Sequence, residues 1–99
     1  MKKAELTKEE ITVIIRDYLI SKGIKKASLF GSFIRDDFDP KKSDIDILIE
    51  PFPQMTLWDM IHIHDDLKSK TKKKIDLMGF DGLHVLIKDE VMKQAKAII

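Results

Sequence analysis

The stretch SLFGSFIRDDFDPKKSDIDILIE, Ser28 to Glu50, places two aspartates, Asp44 and Asp46, in a segment that otherwise has the pattern of a buried strand. SDIDILIE alternates with a period of two. Asp44, Asp46, Leu48 and Glu50 therefore share one face, and Ile45, Ile47 and Ile49 share the other. The Cα atoms of the two aspartates lie roughly 6–7 Å apart along such a strand. A buried strand rejects unpaired charge, so the pair predicts a cation at that face.

Working outward from that strand, KKASLF reads as a short strand that runs into Gly31-Ser32, and FIRDDF as a helical turn or short helix. DDFDPKK reads as a loop, because Pro40 disfavours a helical Asp39. Pro51 and Pro53 end the aspartate strand. Further on, KKIDLM echoes DIDIL, with Asp76 between Ile75 and Leu77. If the two strands are neighbours, their carboxylates stand side by side.

Helices fill the intervals. In LTKEEITVIIRDYLISKG, Thr7 and Glu10 form a capping-box pair, Ile11, Ile14, Ile15 and Tyr18 recur at helical spacing, and Gly23 is the stop. From Thr56, Leu57, Met60, Ile61, His64 and Leu67 are expected to form a buried stripe. LHVLIKDEVMKQAKAII reads as one or two helices buried through Ile87, Val91, Ala95 and Ile98. The expected order is helix, strand, short helix, strand, helix, strand, helix. That order predicts an α/β (α+β) fold, a small mixed sheet with helices packed on it, in one domain over 1–99.

Composition narrows the function. Hydrophobic residues at 43% and charged residues at 35% describe a globular chain, and a net charge of +1 argues against nucleic-acid binding driven by overall charge. The absence of cysteine removes disulfides, thiolate metal sites and cysteine nucleophiles. MKKAELTKEE turns polar where a signal peptide turns apolar, and no apolar run reaches the roughly 20 residues of a membrane span, so the expected location is the cytoplasm.

Three aspartates converging from two strands would raise one another's pKa unless cations stood between them. Magnesium accepts carboxylate oxygens and fills its octahedron with water and substrate phosphates. Two such ions about 4 Å apart can hold both the attacking and the leaving oxygen of an in-line phosphoryl displacement. Gly31-Ser32, where a strand gives way to a helical turn, offers backbone N–H groups and a hydroxyl to an anion. A calcium loop beginning at Asp39 fails, because Lys41 and Asp44 fall at its third and sixth positions. His62 and His64 are two apart on a helix and do not share a face, and His84 is isolated, which disfavours a histidine metal site.

GSFIRDDFDPKKSDIDILIE together with KKIDLM resembles the minimal nucleotidyltransferase family, small relatives of the polymerase-β-like nucleotidyltransferase fold. The matching positions are Gly31, Ser32, Arg35, Ser43, Asp44, Asp46 and Asp76. Asp36 departs from the glycine common after the arginine, and Phe33-Ile34 replace smaller residues. The resemblance implies transfer of AMP from ATP to an acceptor hydroxyl with release of pyrophosphate. It implies two Mg2+ ions on Asp44 and Asp46, with Asp76 holding the catalytic one and aiding deprotonation of the acceptor. Gly31 and Ser32 would hold the triphosphate, and Ser43 belongs to the same nucleotide-binding pattern. Arg35 would either pair with phosphate or brace the carboxylate strand. Many members of the family are antitoxins that modify a tyrosine of a HEPN-type ribonuclease toxin, which makes such a toxin the expected partner.

A catalytically idle antitoxin that neutralises its partner by complex formation is the alternative, as is a nucleotidyltransferase acting on RNA or a small molecule. The run KSKTKKK has five lysines in seven residues and reads first as a solvated connection, with nucleotide, RNA or an acidic partner as its other uses. Aromatic residues do not interleave with it, which weakens a single-stranded RNA reading. Trp58, Met55 and Met60 read either as a cap on a small core or as a partner surface.

Overall fold

The computed structural model describes residues 6–34, 44–80 and 93–99, with the Ser32 side chain outside the description. The elements are α1 (Lys8–Ser21), β1 (Ala27–Phe30), a 3-10 turn (Gly31–Ile34), β2 (Ile45–Ile49), α2 (Leu57–Thr71), β3 (Ile75–Gly79) and β4 (Lys96–Ala97). The sheet order is β3-β2-β1-β4. β2 and β3 are parallel and joined through α2, whereas β1 runs antiparallel to both β2 and β4. A parallel pair needs such a crossover, because a tight hairpin can only reverse the chain.

Thr7 starts α1 as predicted. Its hydroxyl accepts from the Glu10 N–H at 3.1 Å, and the Glu10 carboxylate accepts from the Thr7 N–H at 3.0 Å. Thr56 and Asp59 repeat the arrangement at α2, at 3.3 and 2.8 Å. Each cap satisfies orphan donors of the first turn and stabilises its helix by about 1 kcal/mol. Gly23, at φ 86°, turns the chain out of α1 toward β1.

Among the described residues the buried apolar side chains form one cluster. Ile11, Ile15, Tyr18 and Leu19 of α1 and Ile63 and Leu67 of α2 meet Leu29, Ile45, Ile47, Ile49 and Ile75 of the sheet. Full burial of each such aliphatic side chain stabilises the fold by about 1.5–3 kcal/mol. Ile45, Ile47 and Ile49 are fully buried, as their alternation requires, but so is Leu48 on the aspartate face. That face is thus covered at its middle, with Asp44 exposed before the start of β2 and Glu50 exposed beyond its end.

Two expectations are corrected. The buried stripe of α2 is Ile63, Leu67 and Thr71, flanked by half-buried Met60, whereas Leu57 is 75% and Ile61 42% exposed. The rotation is set by polar ties on both flanks, Asp66 to α1 and His64 to β3, which bracket the buried line between them. Buried Thr71 satisfies its hydroxyl on the Leu67 carbonyl at 2.8 Å. The end of the chain is not helical throughout: Lys96–Ala97 form β4, and the Ile98 N–H donates to the Ala27 carbonyl at 2.9 Å. The free backbone edge of β1 captures this segment, and short apolar runs do not fix their own period. Ile98 packs on the core as predicted, while Ile87 and Val91 lie outside the described residues. Among the described residues no helix is long and apolar enough to cross a membrane.

Candidate functional site

Asp46 is the second residue of β2 and Asp76 the second residue of β3. The two strands are parallel and in register, so Asp46 lies directly opposite Asp76. Directly paired residues of a sheet project from the same face, here on strands about 4.8 Å apart. On the other side of Asp46 the partner is Phe30. A row Phe30, Asp46, Asp76 thus crosses three strands at one end of the sheet, with Asp46 half-buried and Asp76 exposed.

Asp44 precedes β2 and is exposed. The ladder extends into this approach, since the Ile45 N–H donates to the Lys74 carbonyl at 2.9 Å. Asp44 is therefore held at the rim beside the row. The three carboxylates share an edge without closing on one point, and no group of three acid or imidazole side chains set to hold a metal ion forms among the described residues.

Gly31 completes the arrangement. At φ 73° it takes a left-handed conformation, which turns β1 into the 3-10 turn. A Cβ at this position would overlap Asp46 Oδ2 and stand 3.2 Å from Asp46 Cγ. The glycine is thus required twice, for its backbone angle and for its approach to the carboxylate. The backbone of the turn lies against the acidic row.

Behind the row, His64 of α2 approaches the Ile75 carbonyl with Nε2 at 3.0 Å and the Asp65 carboxylate with Nδ1 at 3.0 Å. This contact ties α2 to β3 one residue before Asp76. Only the apolar position of His64 was legible in the sequence, since its carbonyl partner lies across the fold. On the other flank, the Tyr18 hydroxyl donates to Asp66 Oδ2 at 2.5 Å, and Lys22 and Lys70 stand over the ring at 5.6 Å each. Burial first, then the hydrogen bond to Asp66 and its negative charge, push the Tyr18 pKa well above the ordinary tyrosine range.

Of the predicted site residues, the structure brings Gly31, Asp46 and Asp76 together and sets Asp44 at their rim. The backbone of Ser32 lies in the turn. Arg35 and Ser43 lie outside the described residues, as do Asp36 and His84.

Residues 9–99 match the sequence profile of the family described as polymerase beta, nucleotidyltransferase. The chain belongs to this nucleotidyltransferase family. A candidate protein adenylyltransferase of Methanocaldococcus jannaschii is 32% identical over 90 residues, covering 91% of this chain and 96% of that protein. Among solved structures, a candidate minimal nucleotidyltransferase superposes with a TM-score of 0.80 at 20% identity, covering 94% of this chain and 97% of the other. The toxin–antitoxin MntA–HepT gives a TM-score of 0.71 at 18% identity over 92% of this chain and 71% of the matched chain. A toxin–antitoxin structure with AMP-PNP gives 0.75 at 20% identity over 95% and 73%. At such identities these structures bear on the fold, which is the nucleotidyltransferase fold that the resemblance implied. In this nucleotidyltransferase family member, the acidic row and the glycine turn are the chemically distinctive part of the sheet.

Proposed function

We propose that this nucleotidyltransferase transfers AMP from ATP to a hydroxyl, a tyrosine hydroxyl above all, of a partner protein, and that the partner is a HEPN-type toxin which it restrains as an antitoxin. The observation that carries the reading is the in-register pair Asp46 and Asp76 with the Gly31 backbone packed on the Asp46 carboxylate. The adenylyltransferase name of the Methanocaldococcus relative supports the substrate, and the toxin–antitoxin neighbours support the partner.

The donor set fits magnesium: all its side-chain atoms are hard carboxylate oxygens, on an edge open enough to admit phosphate and water. Asp44, Asp46 and Asp76 would hold two Mg2+ ions, which supply charge neutralisation at the phosphates. The residues of the chain then have separate tasks. The Gly31–Ser32 turn receives the triphosphate, with Ser43 and Arg35 as further nucleotide-binding positions. Asp76 accepts the proton of the acceptor hydroxyl. The hydroxyl oxygen forms a bond to the α-phosphorus, the bond from the α-phosphorus to the bridging oxygen breaks, and pyrophosphate leaves with the electron pair.

The test is incubation of the protein and Mg2+ in host lysate with ATP labelled at either the α- or the γ-phosphate, beside an Asp46→Asn control. Transfer of the α-label alone to a protein band, lost in the control, is the expected result. Transfer of the γ-label would overturn the reading. Labelled RNA would shift the acceptor class, and silence with both labels in the presence of the co-purified partner would leave a binding antitoxin.

A further inference from the structure

We propose that the lysine-lined cleft at the C-terminal end of α2 docks an acidic segment of the acceptor protein and so delivers its hydroxyl to the Asp46–Asp76 edge. This rests on the transfer reading above. The cleft is an open depression of about 580 Å³ lined by Asp65, Lys68, Ser69, Lys72, Lys73 and Lys74.

Its position is the first argument. Lys72 adopts a left-handed conformation, φ 59° and ψ 27°, and turns the chain out of α2 toward β3. Lys74 stands two residues before Asp76, and its carbonyl receives the Ile45 N–H, between Asp44 and Asp46 in the chain. A ligand held in the cleft is consequently beside the acidic row.

Charge is the second. Among the described residues the ion pairs are Arg16–Asp17 and His64–Asp65, so none of the four cleft lysines is paired and the one cleft carboxylate faces His64. Lysines in the last turn complement the helix dipole, which accounts for Lys68. Lys72, Lys73 and Lys74 lie beyond that turn, and Lys70 is turned away over the Tyr18 ring. Like charges gathered on one rim repel, and an acidic ligand relieves that repulsion while steering encounter.

The lining identifies the class of ligand. Among the described residues that line it no side chain is aromatic, so these offer unpaired bases nothing to stack on. Flexible lysine ammonium groups around an open surface suit the scattered carboxylates of a protein segment. The aspartate row itself repels such a segment, which confines it to the lysine side of the edge.

The experiment measures binding of a fluorescein-labelled deca-glutamate peptide to the whole chain by anisotropy at low salt. Lys68→Glu/Lys73→Glu is compared with Lys25→Glu/Lys26→Glu, a pair of exposed lysines away from the cleft that changes net charge equally. The cleft variant is expected to weaken binding about ten-fold, the value of one to two charge pairs lost and reversed, and the control less than about two-fold. In the transfer assay the cleft variant raises KM for the acceptor and leaves kcat unchanged. Equal weakening in both variants, no binding by the wild type, or a uridine dodecamer that outcompetes the peptide would overturn the proposal. If α-label transfer fails while the peptide result holds, the transfer reading falls and the acidic-ligand site stands; if transfer occurs with KM unmoved in the cleft variant, the docking inference alone falls.

Discussion

Gly31→Ala tests the geometry of the site against a control built into the same chain. Gly31 and Gly23 both have positive φ, 73° and 86°, so alanine at either position carries a left-handed strain of roughly 1–2 kcal/mol. Both substitutions gain the same unfolded-state entropy term, which cancels between them. They differ in what the new methyl meets. At Gly23 nothing lies within 4 Å, whereas at Gly31 the methyl collides with the Asp46 carboxylate and its Cγ at 3.2 Å. Asp46 is half-buried and takes part in a further interaction of its own, so displacing it costs about 1–3 kcal/mol more. Gly23→Ala is therefore expected to lose about 1–2 kcal/mol and Gly31→Ala about 2–5 kcal/mol, the extra cost of about 1–3 kcal/mol amounting to roughly 4–24 °C in Tm for a chain of this size. Urea and thermal unfolding measure the stability, and α-label transfer measures the site. Transfer should survive in Gly23→Ala and fall to background in Gly31→Ala even at temperatures where both are folded. Equal stability losses with transfer retained in Gly31→Ala would refute the close approach of turn and carboxylate.

Asp46→Asn and Asp76→Asn should each lower transfer at least about 100-fold, the loss expected of the charge-holding and general-base roles proposed for them; the melting temperature should stay level or rise in exposed Asp76→Asn, where like charge on the row is relieved, and fall in Asp46→Asn, which disturbs the further interaction of Asp46. Leu67→Ala should cost about 2–5 kcal/mol by cavity formation, and Leu57→Ala less than about 0.5 kcal/mol, measured by urea unfolding. Comparable losses at the two positions would contradict the observed rotation of α2. Tyr18→Phe should lose about 1–2 kcal/mol at pH 7 with the hydrogen bond to Asp66. Because the folded-state pKa of Tyr18 is raised above its unfolded value, its stabilisation is complete below about pH 10 and declines as pH rises beyond that. The difference between wild type and Tyr18→Phe should accordingly narrow in that range, by chemical denaturation across pH.

The parts of the site that could be read in the sequence are those encoded by local periodicity. SDIDILIE alternates too strictly to be anything but a strand, and Asp46 and Asp76 each sit between branched apolar residues, so both carboxylates had to leave the core on the same side of their strands. Their direct opposition is a matter of register, which local sequence does not specify; it follows from α2 returning the chain parallel and from the Ile45–Lys74 backbone bond that aligns the strand starts. The role of Gly31 was half legible. A glycine after a strand signals a turn, but its contact with Asp46 depends on β1 lying antiparallel beside β2. The misread elements failed for the same reason. Leu57 and Ile61 satisfy helical spacing as well as Ile63 and Leu67 do, and the choice was made by Tyr18 and the Ile75 carbonyl, 48 and 11 residues away in sequence from their partners on α2. Lys96–Ala97 form a strand because the edge of β1 is free to receive them. A candidate site assembled this way is expected to tolerate changes in helix surface while remaining sensitive at the few positions where strands meet. Gly31 is the most sensitive of these, since there the turn, the register and the carboxylate all depend on one missing methyl group.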